Sequence, residues 1–392
     1  MLDRAKLAKQ ITYLAEKIFP DFFQSSDIAQ KKWQQICNDQ YFLQKVEAAQ
    51  SSFLLPGWQG NLSDTFQIKN DLTNYSVLAV DGSQIYPDRN FSGASCFLIN
   101  SGGCFLKYGQ KSEAKFFNEP KLFLPDDLKD ERFAFSRDLV DLIREELEFK
   151  TLFEKFSFYK KEYNLKNDGF VCLMDGTIIF WTLEGKLPEV KQYFLDRYLY
   201  YLNQFYKNNI LIASFISFPK SKELVNLIKI GLCRFDLVDC IKCHKEFTDF
   251  PCKVVDNLID TKIVRMFFPF DKKNKYYRTT LFYSNSKIVQ NYPDQLKPCF
   301  FYLDVGAEIV RIEVPVYVAL DQEKLDLICK VAMDQSLKGN GYPVCLAESH
   351  AQAVVKNADR EFFYHLIYKL GIEQNRRFFM SQKSIKKRGI GI

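Results

Sequence analysis

The sequence predicts an α/β fold in which helices alternate with the strands of a mixed sheet. Two apolar runs of strand length, Val77–Asp81 and Val171–Asp175, each end on an aspartate that is followed by glycine and a small hydroxyl residue. Such short runs indicate buried strands, and the segments between them carry apolar residues at helical spacing. The composition agrees with a globular protein, because 47% of the 392 residues are hydrophobic and only 13 are proline.

The N-terminal part of the chain is predicted to be a helical extension over residues 1–75. Leu7, Ile11 and Leu14 recur there at helical spacing, and no cluster of catalytic residue types accompanies them. The main domain is expected over residues 76–370, and a basic tail over residues 371–392.

Three strands are expected at the start of the main domain. The first covers residues 76–81, and Ala94–Asn100 and Cys104–Tyr108 predict the next two. Ser101 and the two glycines after it lie between these runs and predict a hairpin turn. The three strands are therefore expected to form an antiparallel meander.

The order of elements that follows completes a β-β-β-α-β-α-β-α pattern. Its later members are a helix, a strand, a helix, a strand and a helix, predicted at residues 133–160, 170–175, 187–207, 210–217 and 221–230. Few topologies fit such an order, because sequential strands tend to be neighbours and parallel crossovers are right-handed. The order is that of the ribonuclease H-like fold, in which acidic residues on the first strand, a helix and the fourth strand hold divalent ions. This is an analogy of fold, and fold alone does not establish function.

Asp81 and Asp175 are the first candidate site residues. Each is predicted to follow a core strand at its carboxyl end, where open α/β sheets bind ligands. Two carboxylates on neighbouring strands repel each other unless a cation lies between them, and oxygen ligands of this kind bind hard divalent ions. Paired ions are used for phosphodiester cleavage. Asp-Gly is also an ordinary turn dipeptide, but its two occurrences after buried strands favour the functional interpretation.

A third carboxylate is expected from the helix over residues 133–160, which offers three glutamates. On a helical wheel Glu146 falls near the middle of the apolar face, Glu145 at its edge and Glu148 roughly opposite. A carboxylate directed at a core is costly unless it is paired or binds a metal. Glu146 is therefore the first candidate and Glu148 the second, and the third alternative leaves all three glutamates in solvent.

A second constellation lies near the C-terminus. Gly339-Asn-Gly is followed by Tyr342 and a proline, and then by a predicted helix that carries His350. A histidine near a phosphodiester can bind a metal, protonate a leaving oxygen or contact a phosphate. The alternative is an ordinary histidine on an amphipathic helix.

Basic residues of the tail account for the whole net charge of +6. Such a tail either contacts nucleic acid phosphates or is a solvated end. The candidates for DNA backbone contacts are Arg89, which follows the Asp81 turn, and the tail residues Arg376, Arg377, Lys386, Lys387 and Arg388.

The remaining signals bear on location and on other site types. The 11 cysteines lie mostly in apolar runs and no export signal is found, so we expect a soluble, cytoplasmic protein that spans no membrane. Cys240, Cys243, His244 and Cys252 have some of the spacing of a zinc site, but its typical second half is missing. No P-loop is present, so ATP hydrolysis by that route is excluded.

Taken in order along the chain, these motifs resemble the NurA nuclease domain family. The resemblance covers residues 76–365 and includes Val80-Asp-Gly-Ser-Gln, Leu173-Met-Asp-Gly-Thr, Val310-Arg-Ile-Glu-Val-Pro and Gly341-Tyr-Pro-Val. It implies a DNA nuclease that depends on Mn²⁺ or Mg²⁺ and has a ribonuclease H-like core. It also implies a homodimer that acts with a HerA-type hexameric ATPase in DNA end resection, a step of DNA repair.

The resemblance also implies roles for single residues. Asp81 and Asp175 become metal ligands together with the helix glutamate, for which Glu146 is the candidate. Tyr342 and His350 match the tyrosine and histidine near the scissile phosphate, so that these five residues form the predicted catalytic set. The alternative function is a weakly active or inactive DNA-binding partner that recruits a motor ATPase.

Overall fold

The structure is a computed structural model that describes residues 2–15, 23–87, 91–92, 96–124, 127, 136–246, 250–268, 275–375 and 379–380. Its α-helices, in chain order, are α1 (Arg4–Tyr13), α2 (Phe23–Cys37), α3 (Phe42–Glu47), α4 (Arg137–Glu162), α5 (Pro188–Lys207), α6 (Glu223–Leu232), α7 (Cys240–Glu246), α8 (Asp260–Phe267), α9 (Val316–Ala319), α10 (Gln322–Lys338), α11 (Val344–Ala353) and α12 (Asn357–Glu373).

The strands are, in the same order, β1 (Gly57–Trp58), β2 (Thr65–Ile68), β3 (Tyr75–Ile85), β4 (Phe91–Ser92), β5 (Phe97–Tyr108), β6 (Glu113–Phe123), β7 (Phe170–Asp175), β8 (Leu211–Ile216), β9 (Tyr276–Thr279), β10 (Phe282–Tyr283), β11 (Pro298–Asp304), β12 (Ile309–Pro315) and β13 (Phe379–Met380). Short 3₁₀ turns lie at Asn167–Gly169, Trp181–Leu183, Pro251–Val255, Val289–Asn291 and Asp294–Leu296.

The chain forms two compact units. The smaller comprises Met1–Phe66, Phe218–Lys273 and Thr279–Asn285, and the larger comprises Gln67–Ser217, Asn274–Arg278 and Ser286–Ile392. The smaller unit thus joins the N-terminal helices to α6, α7 and α8 from the middle of the chain. In the smaller unit Trp33 stacks on Phe267, with 5.4 Å between the ring centroids.

The larger unit is built on a mixed sheet with the strand order β6-β5-β3-β7-β8-β12-β11. The first three strands along the chain, β3, β5 and β6, are antiparallel neighbours. β7 then lies parallel to β3 on its other side, and β8 lies parallel to β7. β12 and β11 add antiparallel strands beyond β8. The mixed α/β architecture predicted from the sequence is confirmed.

Aromatic residues hold α4 against this sheet. The ring of Phe156 on α4 stacks on Phe170 of β7 at 4.3 Å, and Tyr159 stacks on Phe105 of β5 at 4.4 Å. All four side chains are buried, and offset stacking adds to the gain from burying their apolar area. The packing fixes the long helix along β3, the strand that carries Asp81.

The hairpin predicted at Ser101 is wrong. Ser101, Gly102 and Gly103 lie inside the continuous strand β5, which pairs with β3 from Tyr75 to Ile85. A glycine inside a strand often marks a close approach of other atoms rather than a turn. A Cβ atom on Gly103 would lie 2.1 Å from the ring of Phe117, so this glycine makes room for a neighbouring strand.

The third strand of the meander is β6, which the sequence analysis missed. It shows little apolar alternation because it is an edge strand whose residues are almost all exposed. Charged residues such as Lys115, Glu119 and Lys121 are common on edge strands, where they discourage pairing with other chains. Among the helices in the described ranges, none is long and apolar enough to cross a bilayer.

Candidate active site

Asp81 and Asp175 lie side by side on the adjacent parallel strands β3 and β7. The strands pair up to Ala79 and Leu173, and each aspartate is two residues further along its strand. Asp175 ends β7, as the sequence predicted. β3 instead continues to Ile85 because β5 pairs with it along its whole length. Asp81 therefore lies where the pairing with β7 ends, not where its own strand ends.

The two glycines that follow these aspartates serve different purposes. Gly176 has a φ of +92°, so it makes a true turn after Asp175. Gly82 continues its strand, and a Cβ atom there would lie 2.6 Å from the Glu148 carboxylate and 2.7 Å from Cγ of Arg144. Gly82 thus lets side chains of α4 lie directly over the strand beside Asp81.

Glu148 is the helix carboxylate that lies at this site. Its side chain is 12% exposed, and its Oε1 accepts a hydrogen bond of 2.5 Å from the Arg144 guanidinium one turn earlier. Burial raises the pKa of Glu148 to about 8, and the charges of Asp81 and Glu145 add to the rise while Arg144 opposes it. The contribution of the Asp81 charge shows that α4 places a carboxyl group close to this aspartate.

Glu146, the first candidate for that position, lies elsewhere. Both of its carboxylate oxygens accept hydrogen bonds of 2.6 Å from Arg197 of α5. The helical wheel was right that Glu146 is buried, since its side chain is 7% exposed. The wheel could not show that α5 supplies a cation there. Glu148, the second candidate from the sequence, is therefore the helix glutamate that lies beside Asp81.

Tyr342 and His350 join the two aspartates from the C-terminal part of the larger unit. Nδ1 of His350 lies 2.7 Å from Oδ2 of Asp81, and the imidazole is 68% exposed. The Tyr342 hydroxyl donates a hydrogen bond to Asp175, and burial together with the Asp175 charge raises the pKa of Tyr342. Burial also raises the pKa of Asp175, and the Asp81 charge adds to it against the Tyr342 hydrogen bond.

Contacts of α11 with the sheet place His350 over Asp81. The amide of Asn100 on β5 donates to the carbonyl oxygens of Gln352 at 3.2 Å and Ala353 at 2.9 Å, the last residues of α11. The backbone N–H of Val355 donates to the hydroxyl of Ser83 at 3.1 Å. The polar residues that follow Asp81 and line β5 therefore bind the end of the helix that carries the histidine.

Glu313 is a residue of the site region that the sequence analysis missed. It is 1% exposed, and its Oε2 accepts hydrogen bonds from the Thr177 hydroxyl at 2.6 Å and from the Ile178 N–H at 3.1 Å. Its Oε1 accepts from Arg311 at 2.9 Å. A signal existed: Arg311 and Glu313 are two residues apart in an apolar strand, so they share one face. The buried pair fixes the turn after Asp175.

The carboxylates have the chemistry of a site for a hard divalent cation. Asp81, Asp175 and Glu148 offer only oxygen ligands, and the charge of Asp81 raises the pKa of the other two, a repulsion that a cation would relieve. As the side chains are placed, however, no three His, Cys, Asp or Glu residues of the described ranges converge to hold a metal ion. The same finding applies to Cys240, Cys243 and Cys252.

The predicted DNA contacts cannot be placed at this site, because Arg89, Arg376, Arg377, Lys386, Lys387 and Arg388 lie outside the described residues. Of the five predicted catalytic residues, four are brought together: Asp81, Asp175, Tyr342 and His350. The fifth, Glu146, is replaced at the site by Glu148.

The mixed α/β sheet brings Asp81 and Asp175 together just beyond the point where β3 and β7 stop pairing. Comparisons with known proteins place the chain in a family. The family model of the NurA domain matches residues 75–355, so the chain belongs to the NurA domain family. The crystal structure of the NurA nuclease from Sulfolobus solfataricus matches over 95% of this chain and 98% of its own, with a TM-score of 0.49 and 13% sequence identity. No curated protein matches the chain.

Proposed function

We propose that this protein is a metal-dependent deoxyribonuclease that hydrolyses phosphodiester bonds in single- and double-stranded DNA. The observation that carries the proposal is that Asp81 and Asp175 lie just beyond the paired part of β3 and β7, with Glu148 of α4 beside Asp81 and with His350 and Tyr342 bound to the two aspartates. The adjacent aspartates repel each other, and a bound divalent cation would relieve that repulsion. Membership in the NurA domain family supports the same function.

Asp81, Asp175 and Glu148 would hold the cation, for which Mn²⁺ is the first candidate and Mg²⁺ the second. When bound, such an ion neutralises the charge that develops on the phosphate and activates a water. A bound cation would favour the ionised form of Glu148, whose carboxyl, with its raised pKa, would then release its proton to solvent.

His350 is suited to proton transfer at the substrate. Asp81 holds its Nδ1, which fixes the orientation of the ring and leaves Nε2 for a solvent or substrate oxygen. Its exposure of 68% is consistent with contact to a bound DNA strand. Tyr342 keeps its proton at neutral pH, so it acts as a hydrogen-bond donor that orients Asp175.

Several finer features belong to the same proposal. The meander of β3, β5 and β6 followed by the parallel β7 and β8 supports a core of the ribonuclease H-like type. We further propose a cytoplasmic homodimer that binds DNA through Arg89 and the basic tail. It would act with a HerA-type ATPase in end resection during DNA repair.

The test is cleavage of end-labelled single- and double-stranded DNA with Mn²⁺, Mg²⁺ or EDTA. We expect cleavage only with metal, and its loss to the EDTA level in Asp81→Asn, Asp175→Asn and Glu148→Gln. Glu146→Gln is the matched control, because it lies two residues from Glu148 on the same helix but pairs with Arg197. Circular dichroism and thermal melting show whether each variant is folded.

Other outcomes would change the proposal in defined ways. Loss of activity in Glu146→Gln with activity kept in Glu148→Gln would return the helix ligand to Glu146. If pure wild-type protein cuts nothing, even with a HerA-type ATPase present, the nuclease proposal fails. The alternative of a partner that recruits a motor ATPase would then take its place.

A further inference from the structure

Arg144 is a cation inside the acidic cluster to which the proposed function assigns no role. It lies on α4 one turn before Glu148, and its guanidinium donates to one Glu148 oxygen. Burial lowers the pKa of Arg144, but the carboxylates of Glu148, Glu145, Asp81 and Asp141 outweigh it and raise the pKa. The guanidinium therefore lies among four carboxyl groups.

The hydrogen bonds of Arg144 are incomplete. Its Nε is buried and has no acceptor among the residues that the structure describes. A buried donor without an acceptor costs free energy, and such groups occur where a ligand or a rearrangement supplies the partner. The side chain is 25% exposed, so it is held in place but still borders solvent.

A second ion pair, between Glu146 of the same helix and Arg197 of α5, provides a comparison. Arg197 uses two nitrogens on the two oxygens of Glu146, and both bonds are 2.6 Å long. Arg144 makes a single such bond to Glu148, beside Asp81 rather than between two helices. The Arg144 pair is thus the weaker of the two in geometry, although it lies in the more acidic surroundings.

We propose that Arg144 is a positioning residue that balances the carboxylate cluster in the metal-free protein and competes with the divalent cation for Glu148. It holds Glu148 over Gly82 in the metal-free protein, and Glu148 would have to leave Arg144 to act as a ligand of a cation. This inference rests on the proposed metal-dependent function.

The competition has a measurable consequence. Two positive charges a few ångströms apart repel each other, so removing the Arg144 charge should strengthen binding of the cation. For unit charges at such distances in a partly buried site, the effect is about 10-fold or more in affinity. A structural residue would have the opposite effect, because its loss would disorder Glu148 and weaken binding.

The experiment measures Mn²⁺ binding without DNA, by titration calorimetry and by the paramagnetic resonance signal of free Mn²⁺. We expect Arg144→Gln to bind Mn²⁺ about 10-fold more tightly than wild type. Arg144→Lys, which keeps the charge, and Arg197→Gln, which removes the matched pair, should both bind as wild type does. In EDTA, Arg144→Gln should melt at a lower temperature than wild type and gain more from added Mn²⁺.

The outcomes separate this inference from the function on which it rests. If wild type binds Mn²⁺ and Arg144→Gln binds it equally or more weakly, the inference is overturned and the metal-dependent function stands. If Arg197→Gln tightens binding as much as Arg144→Gln, the effect is one of overall charge and the inference is again overturned. If wild type binds neither Mn²⁺ nor Mg²⁺, both fail together.

Discussion

Gly102 lies directly beneath Ala353. A Cβ atom on Gly102 would be 2.1 Å from the backbone nitrogen of Ala353 and 2.4 Å from the carbonyl carbon of Gln352. These are backbone atoms at the end of α11, so they cannot turn away as a flexible side chain could. A glycine in β5 therefore sets how close the helix that carries His350 comes to the strand that carries Asp81.

We expect Gly102→Ala to displace α11. Overpacking of this kind costs about 1–3 kcal/mol in the free energy of unfolding, and the displaced His350 should lose its contact with Asp81. DNA cleavage should therefore fall even under conditions in which the variant is still folded. Chemical denaturation and DNA cleavage measure the two effects separately.

Gly169→Ala is the control for this substitution, because a Cβ atom at Gly169 would have nothing within 4 Å. It should leave stability and cleavage near those of wild type. Normal activity in Gly102→Ala would mean that α11 can shift without moving His350, and the role given to this glycine would be wrong.

The turn after Asp175 should depend on the Thr177 hydroxyl. Thr177→Val removes the donor to Glu313 and leaves a buried carboxylate oxygen short of one hydrogen bond, which costs about 1–3 kcal/mol. Cleavage should fall as well, because the turn holds Asp175 in place. Thr177→Ser keeps the hydroxyl and should change the free energy of unfolding by less than about 0.5 kcal/mol. Equal stability of the two variants would show that Glu313 does not need this donor.

Gln335 should link the start of α11 to the sheet. Its side-chain nitrogen donates to the hydroxyls of Tyr75 at 2.8 Å and Tyr108 at 3.0 Å, and its oxygen accepts from the Cys345 N–H at 3.1 Å. Gln335→Met keeps the volume and leaves the Cys345 N–H without its acceptor, at a cost of about 1–3 kcal/mol. Hydrogen exchange should show faster exchange of that amide. Unchanged protection of Cys345 would contradict this assignment.

The sequence predicted the strands and helices of the core well, but it did not predict which residues the polar side chains would contact. Apolar runs and helical periodicity report burial, and both Asp81 and Asp175 follow such runs. Periodicity also reported that Glu146 is buried, but the cation that pairs with it comes from a helix 51 residues further along the chain. The turn predicted at Gly102 was wrong for the same reason. Glycine suits both a turn and a close contact, and the residue that contacts Gly102 lies far away in sequence.

Glu148 should make the stability of the metal-free protein depend on pH. Its pKa is raised from an ordinary 4.5 to about 8, chiefly by burial. Between these two values the folded protein keeps a proton that the unfolded chain releases, so the free energy of unfolding falls as pH rises through this window. Gln does not titrate, so in Glu148→Gln the free energy of unfolding should not show this decrease with pH. Urea denaturation in EDTA at pH 5, 6, 7 and 8 gives the free energy of unfolding of each protein. As pH rises, the free energy of unfolding of Glu148→Gln should increase relative to that of wild type. Glu146→Gln keeps Glu148 and should retain the wild-type slope, whereas a pH-independent difference between Glu148→Gln and wild type would show that folding does not raise the pKa of Glu148.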